Sequence, residues 1–301
     1  MLKIAYHTAY TYPLPEGHRF PMLKYELIPL QLLHEGIVEQ DSFFEPHLAS
    51  FETACLAHDQ AYVRQLFDCN IDPKMGRRIG FPISNQLIER ERYIIEGTIE
   101  SALYALEYGV SLNVAGGTHH AGFDYGEGFC LLNDQAVAAR YLLREGLANK
   151  ILIIDLDVHQ GNGTAHIFKN DPRVFTFSIH GDKNFPFIKE QSSWDIPLED
   201  ALMDEEYIGI LNESLDKLFD ISKPDFIFYQ AGVDILATDK LGKLKVSSEG
   251  CKTRDYKVLS SCQERGLPIQ ISMGGGYSPQ IKDIINAHIE TYKLAKDIFQ
   301  L

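Results

Sequence analysis

"ILIIDLDVHQGNG", residues 151–163, indicates both the fold class and a site. The stretch begins with four consecutive apolar residues, which is typical of a strand buried on both faces of a parallel sheet. It then carries Asp155, Asp157 and His159. Because successive side chains of an extended segment point in opposite directions, these three polar groups are expected to share one side. The stretch predicts a buried strand whose carboxyl end carries polar chemistry.

The rest of the chain alternates similar strand-like runs with helical patterns. The other apolar runs are residues 2–7, 111–117, 173–180, 225–234 and 268–276. Apolar residues recur at spacings of three and four in residues 86–108, 133–148, 204–220, 248–265 and 279–299. Asn133 or Asp134 can cap the second helix, Gly109 follows the first, and Ser278-Pro279 opens the last. This order predicts an α/β fold with a mostly parallel central sheet and helices on both faces.

Composition narrows the class of protein. No repeat or linker divides residues 1–301, which favours a single domain. The formal net charge is −14 and no Lys/Arg run is present, so we expect no direct nucleic-acid partner and no membrane partner. The five scattered cysteines include no CxxC pair and indicate a reducing compartment. The amino terminus lacks a signal-peptide pattern, so we expect a soluble, cytoplasmic protein.

Polar residues follow four of the predicted strands, where parallel α/β sheets bind their ligands. Asp157, His159 and Asp234 are the ligand set that we predict for a metal ion, because carboxylate and imidazole suit Zn²⁺, with Fe²⁺ as an alternative. The glycine before Asp234 in "AGVD" leaves room for close approach. The ordinary alternative is that the carboxylates cap the next helix beside a histidine that is satisfied locally.

Two more strand ends supply groups that a metal-assisted hydrolysis needs. His119 and His120 follow "VAGGT", and imidazole titrates in the range required of a general acid or base. Asp155 is left to orient one of them. Tyr277 closes the turn "GGGY" and can donate a hydrogen bond to an oxyanion. Without the other motifs, a solvated histidine pair and a loop-closing tyrosine would be the favoured interpretations.

Six motifs in this order resemble the histone deacetylase and acetylpolyamine amidohydrolase superfamily. They are "GGTHHA" (116–121), "GEGFCLLND" (126–134), "DLDVHQGNGT" (155–164), "SIHG" (178–181), "QAGVD" (230–234) and "MGGGY" (273–277). "HQGNGT" and "KNFPF" are most similar to class IV histone deacetylases and their bacterial relatives. The resemblance implies a single-domain arginase-deacetylase fold, Zn²⁺ on Asp157, His159 and Asp234, and His119 and His120 as the tandem acid/base histidines.

The resemblance also implies further roles, with two departures. Asp155 would support His119, whereas Asn162 stands where some members have a second Asp, so His120 should be less basic here. Gln160 stands where many members have a second histidine. The implied acyl-lysine tunnel residues are Phe129, Phe185, Gly128 and Gly275, and the implied product-cavity residue is Arg19. The implied structural K⁺ site comprises Asp155, Asp157, His159, Ser178 and Ile179.

The function that the resemblance implies is zinc-dependent hydrolysis of a linear amide. The enzyme would remove an acetyl or longer acyl group from a lysine side-chain amine or a similar primary amine. Its partners would be an acylated lysine protein or peptide, or a small acylated amine. Two alternatives stay open: a ureohydrolase of the arginase type, and a catalytically inactive module that binds acyl-lysine.

Overall fold

The centre of the molecule is one sheet of eight strands, all of them parallel. The computed structural model describes residues 1–301. The strands are β1 (Lys3–Ala5), β2 (Phe43–Phe44), β3 (Val110–Asn113), β4 (Ile151–Asp155), β5 (Val174–Gly181), β6 (Trp194–Leu198), β7 (Phe226–Gln230) and β8 (Ile269–Ser272). Their order across the sheet is β2-β1-β3-β8-β7-β4-β5-β6. The predicted parallel α/β sheet is thus confirmed.

Ten α-helices connect and cover the strands. They are α1 (Lys24–His34), α2 (Phe51–Ala54), α3 (Gln60–Phe67), α4 (Pro73–Ile79), α5 (Asn85–Tyr108), α6 (Asp134–Arg144), α7 (Asn162–Phe168), α8 (Asp204–Ser222), α9 (Ser248–Glu264) and α10 (Ile281–Phe299). Every residue of β4 and β7 is buried. Because alternate residues of a strand face opposite sides, both faces of the central sheet are covered. None of the helices has the length and apolar character needed to cross a bilayer.

Helix ends follow the predicted caps in two of three cases. Asn133 caps α6 by accepting a hydrogen bond from the Ala136 N–H at 3.0 Å. Gly109 ends α5 with a φ of 86°, a conformation that favours glycine. The predicted start of the last helix at Ser278-Pro279 is wrong, since α10 begins at Ile281. The Ser278 hydroxyl instead bonds the Thr238 hydroxyl at 2.8 Å.

A buried ion pair within α9 includes an arginine that hydrogen-bonds the segments after two strands. The Arg254 and Asp255 side chains are fully buried, with the Arg254 Nε 2.8 Å from the Asp255 Oδ1. The Arg254 Nη1 also donates to the carbonyls of Leu156, at 3.2 Å, and Gly232, at 2.5 Å. These carbonyls belong to the segments that follow β4 and β7. Arg254 therefore holds the two segments at a fixed separation.

Arg254→Met is expected to lower the free energy of unfolding by about 3–5 kcal/mol, because it leaves the Asp255 carboxylate buried without its cation. Urea unfolding of the purified variant measures this loss. Arg265→Met is the matched control, because Arg265 also pairs with a carboxylate, Asp216 at 2.7 Å, but that carboxylate is 83% exposed. It should cost about 1 kcal/mol or less. Equal losses in both variants would contradict the role assigned to Arg254.

Candidate active site

The segment after β4 turns instead of continuing as a strand. β4 ends at Asp155, so the expectation of one extended segment over 151–159 is wrong. The Asp155 Oδ1 accepts the Asp157 N–H at 3.2 Å, and the Asp157 Oδ1 accepts the His159 N–H at 3.0 Å. Aspartates bond backbone two residues ahead in this way in tight turns. The polar side chains come together through these turns and not through strand alternation.

Asp157, His159 and Asp234 converge at this edge of the sheet, with one ligand atom from each within 4.8 Å of the others. The His159 Nδ1 lies 3.0 Å from the Asp157 Oδ1 and 2.9 Å from the Asp234 Oδ2. Backbone N–H groups hold the remaining carboxylate oxygens. Gly275 donates to the Asp157 Oδ2 at 2.8 Å, and Val158 donates to the Asp234 Oδ1 at 2.9 Å. Hydrogen bonds thus hold all three predicted ligands in place.

The chemistry of this group fits a divalent cation. All three residues are buried, so the two carboxylates lie close together away from water. Burial, followed by the charge of Asp157, raises the pKa of Asp234 to about 7. Burial alone would raise the pKa of Asp157 as well, but His119 and His159 hold it well below its usual range. Two buried carboxylates beside an imidazole are a donor set for Zn²⁺ or another first-row ion.

Two glycines allow the backbone to approach these carboxylates. A Cβ on Gly232 would collide with the Asp157 carboxylate, and a Cβ on Gly275 would collide with the carboxylates of Asp234 and Asp157. Neither glycine has a positive φ, so close approach and not backbone conformation requires glycine here. The close approach predicted at the glycine before Asp234 is present. Gly275, predicted as a tunnel residue, instead lies against the carboxylates of Asp157 and Asp234 and does not line the outer cavity.

His119 and His120 lie beside Asp157 and His159, with the ring centroids of the two histidines 4.1 Å apart. The His119 Nδ1 is 2.7 Å from the Asp155 Oδ2, and the His120 Nδ1 is 2.7 Å from the Asn162 Oδ1. The Asn162 oxygen accepts a hydrogen bond from the His120 Nδ1–H, which directs the His120 Nε2 lone pair away from the amide. Both histidines thus have a partner that orients the imidazole, as the resemblance implied.

The two imidazoles differ in basicity. Burial favours the neutral form of His119, but the Asp155 and Asp157 carboxylates outweigh it and raise its pKa to about 9. Burial, followed by the charges of His119 and His159, lowers the pKa of His120 well below its usual range. The direction agrees with the expectation that His120 is weakly basic. The main causes are burial and the neighbouring imidazoles, whereas the Asn162 bond opposes the shift.

Tyr277 lies beside His159, in the segment that follows β8. Its ring centroid is 6.4 Å from that of His159, and its hydroxyl makes no hydrogen bond with the protein. Burial, together with the charges of Asp157 and Asp234, raises the pKa of this phenol well above its usual range. The hydroxyl therefore stays protonated and free to donate a hydrogen bond to a bound group.

An outer cavity of about 400 Å³ leads from the surface to this group. Phe129 and Phe185 line it together with His120, His159 and Tyr277. The Phe185 ring packs edge-on against His120 at 4.9 Å between centroids. A Cβ on Gly128 would press on both His120 and Phe185. Of the four predicted tunnel residues, Phe129, Phe185 and Gly128 line this cavity, and their role in holding an acyl-lysine stays a prediction.

A second, narrower cavity of about 40 Å³ extends inward from the same histidines. Tyr25 and Arg90 line it, and Arg90 is 2% exposed. Arg19, predicted to lie at an internal product cavity, is instead exposed at the outer opening, with its guanidinium 5.0 Å from the Phe129 ring. The loop before α1 carries Arg19 outward, so α5 supplies the inner arginine.

The remaining predicted residues lie near the same strand ends. Asp155 and Ser178 are register partners across β4 and β5, and Ile179 follows on β5. This brings the segments of the predicted K⁺ site together, and K⁺ binding stays a prediction. Gln160 donates to the Asp195 carboxylate at 2.8 Å, so it links the turn after β4 to β6.

Two polar contacts that were not predicted support the site. The Glu127 Oε1 accepts from the Asn162 Nδ2 at 2.7 Å, which fixes the amide facing His120. Glu127 lies within "GEGFCLLND", so the motif was the available signal. Lys24 is fully buried and donates to the Gly274 carbonyl at 2.8 Å, and burial lowers its pKa to about 8. No local pattern marks a lysine at the start of a helix as buried.

Comparison with solved structures shows the same fold. The chain superimposes on an HDAC homolog from Aquifex aeolicus with a TM-score of 0.83 at 23% identity, covering 99% of this chain and 88% of that one. An HDAC homolog complexed with SAHA gives a TM-score of 0.83 at 24% identity, with the same coverage. At these identities, the two comparisons show the fold alone.

Sequence comparison shows the family. An uncharacterized protein of Picosynechococcus sp. is 44% identical over 296 residues, which cover 98% of this chain and 99% of that protein. Histone deacetylase 2 of Arabidopsis thaliana is 28% identical over 282 residues, which cover 91% of this chain and 73% of the relative. The model of the histone deacetylase domain matches residues 18–292. With the buried Asp-His-Asp group beside two oriented histidines, this match shows that the chain is a deacetylase-type hydrolase of the histone deacetylase family.

Proposed function

We propose that this protein is a zinc-dependent amidohydrolase that removes acetyl or longer acyl groups from lysine side chains or similar primary amines. The observation that carries the proposal is the convergence of Asp157, His159 and Asp234 at the inner end of a cavity walled by Phe129 and Phe185. An apolar stem fits between the two rings, and its amide would reach the three ligands. The substrate would be an acylated lysine of a protein or peptide, or a small acylated amine.

The chain's own residues supply the proton transfers. When held by Asp157, His159 and Asp234, Zn²⁺ supplies a Lewis acid that polarises a carbonyl and acidifies a water. His120, held neutral with its Nδ1 bonded to Asn162, accepts the proton of the attacking water at Nε2. The Tyr277 hydroxyl donates a hydrogen bond to the oxyanion of the tetrahedral intermediate.

The collapse of the intermediate needs an acid. His119 is the protonated member of the pair, since its pKa is raised to about 9 beside Asp155. It protonates the former amide nitrogen as the C–N bond breaks, so the lysine leaves as a neutral amine. Phe129 and Phe185 keep bulk water from the reacting carbonyl. These roles follow from which histidine faces a carboxylate and which faces an amide.

A ureohydrolase of the arginase type is the second candidate. A two-metal site of that kind needs more bridging carboxylates, whereas one group of three donors is present in the structure. Asp234 is followed by the buried apolar residues Ile235 and Leu236. An inactive acyl-lysine-binding module is the third candidate, but it would not need the oriented histidine pair or the unbonded Tyr277 hydroxyl.

We expect a panel of lysine peptides, acylated with groups from acetyl to myristoyl, and acetylated polyamines to reveal turnover that depends on a metal. Dialysis against a chelator should abolish the turnover, and Zn²⁺ should restore it, because the ligands are buried and their ion is required for the reaction. Release of the acyl acid, followed by liquid chromatography, measures the rates. Parallel reconstitution with Fe²⁺ distinguishes the two metals.

The same panel separates the alternatives. Urea released from arginine or agmatine would support the ureohydrolase and contradict the deacylase. Peptide binding without zinc-dependent turnover would support the inactive module. Turnover that is unchanged after complete metal removal would contradict the metal-dependent mechanism.

A further inference from the structure

The opening of the outer cavity is basic in a chain that is acidic overall. Five cationic residues line this cavity and an adjoining surface cavity of about 390 Å³: Arg19, Arg78, Lys183, Lys240 and Lys243. No aspartate or glutamate lines either cavity. The chain has 42 acidic and 28 basic residues, so the local balance is the reverse of the global one. We call these five residues the basic rim.

Most of the rim charge is not neutralised within the protein. Arg78 pairs with Glu127 at 2.5 Å, and Lys183 has only the Asp200 carboxylate at 3.9 Å. The Lys243 Nζ donates to the Lys183 carbonyl at 2.9 Å, which satisfies a hydrogen bond but not the charge. Arg19 and Lys240 have no carboxylate partner. Three cations at the opening are therefore free to interact with a bound molecule.

The rim lies where the residues next to an acyl-lysine would pass. The Arg19 guanidinium is 5.0 Å from the Phe129 ring that walls the tunnel. Lys183 and Lys243 line the same cavity as Phe185. Lys240 lies in the adjoining cavity with Arg19 and Tyr277. A peptide whose lysine occupies the tunnel would thus have its neighbouring side chains beside these cations.

We propose that the preferred substrates are acyl-lysines flanked by aspartate or glutamate. The proposal rests on the deacylase function above and names the substrate class of that site. Opposite charges at an opening increase the encounter rate and select partners, and like charges reject them. Basic tails and acetylated polyamines would meet repulsion at the rim. The two adjoining cavities extend over more than one flanking position, which favours a peptide with several carboxylates over a single small anion.

The test compares three peptides with the same acyl-lysine and with acidic, Gly/Ser or basic residues at the two positions on each side. Each exposed ion pair between the rim and the peptide contributes modestly to binding. We therefore expect kcat/KM to be about tenfold higher for the acidic than for the basic peptide. The ratio should shrink as ionic strength rises from 50 to 500 mM, because exposed charges are screened. An equal rate for all three peptides, or a preference for the basic one, would overturn the proposal.

A charge reversal at the rim tests which residues are responsible. Lys240→Glu/Lys243→Glu should invert the acidic-to-basic ratio of kcat/KM, and a ratio is insensitive to a general loss of activity. Lys150→Glu/Lys217→Glu is the matched control, since it changes net charge equally at exposed positions near the opposite edge of the sheet. It should leave the ratio unchanged. A similar shift of the ratio in both variants would assign the preference to net charge and contradict the proposed role of the basic rim.

Fluorescence anisotropy of labelled acidic and basic peptides separates this proposal from the deacylase function. If no peptide is turned over, the deacylase function fails, and tighter binding of the acidic peptide that is lost in Lys240→Glu/Lys243→Glu still supports the rim. If peptides are turned over but bind and react without charge preference, the rim proposal fails and the deacylase function stands.

Discussion

Asp234→Asn is expected to lose both the bound metal and the turnover. Asparagine keeps the size of the side chain, and its Oδ1 can still accept the Val158 N–H that Asp234 accepts at 2.9 Å. It removes the negative charge facing the His159 Nδ1 and replaces a strong ligand with a weak one. Loss of a residue that only hydrogen-bonds a metal ligand lowers metal affinity by roughly 10–100-fold. Loss of a direct ligand should lower the affinity by more than that.

Mass spectrometric metal analysis and an acyl-lysine turnover assay measure both effects on the same preparation. Asp225→Asn is the matched control, because Asp225 precedes β7 at the opposite edge of the sheet and is exposed. It should keep metal and activity. Full metal content in Asp234→Asn would remove Asp234 from the ligand set and with it the proposed centre.

Tyr277→Phe is expected to lower kcat by roughly 100-fold or more while the metal content stays unchanged, as when an oxyanion donor is removed. The hydroxyl makes no hydrogen bond with the protein, so its removal breaks no structural contact. The ring remains packed against Phe20 and Phe129, at 6.1 Å between centroids in each case. Stability and peptide binding should therefore be retained.

Steady-state kinetics, with KM and kcat determined separately, checks this result. A fall in kcat with a nearly constant KM is the signature of an interaction made mainly in the transition state. Tyr256→Phe, on an exposed part of α9, controls for the loss of a tyrosine hydroxyl as such. An unchanged kcat in Tyr277→Phe would exclude its hydroxyl from the mechanism.

The buried strands and the long helices could be predicted because their patterns are local. β4 and β7 are continuous apolar runs, and α5 ends at the glycine that its pattern predicted. The edge strand β6 was missed because it mixes exposed and buried residues and contains Pro197. The helix α1 was missed because its sequence contains Pro29, which helix interiors disfavour, and because Lys24 is buried within it. The formation of edge strands and the burial of charged residues depend on neighbouring segments of the fold. A local sequence pattern does not include those segments.

The candidate site likewise has parts that the sequence predicted and parts that it did not. The residue types and their strand-end positions led to Asp157, His159 and Asp234, which the structure brings within reach of one ion. The path between them was not predictable, since the turn after β4 depends on side-chain bonds from Asp155 and Asp157. Arg19 was placed at the inner cavity, where Arg90 lies instead. The order of the motifs predicts which residue types belong to the site. It does not predict the direction in which a loop places a side chain.

The amino-acid sequence by itself determined that buried parallel strands end in carboxylates and histidines, because burial and strand direction follow from runs of apolar residues. Only the tertiary structure decided which imidazole faces a carboxylate and which faces an amide, through contacts between residues 36 and 42 positions apart. It also decided that cations from four separate segments surround the opening. Basicity and charge depend on distances across the fold, and chain spacing does not encode those distances.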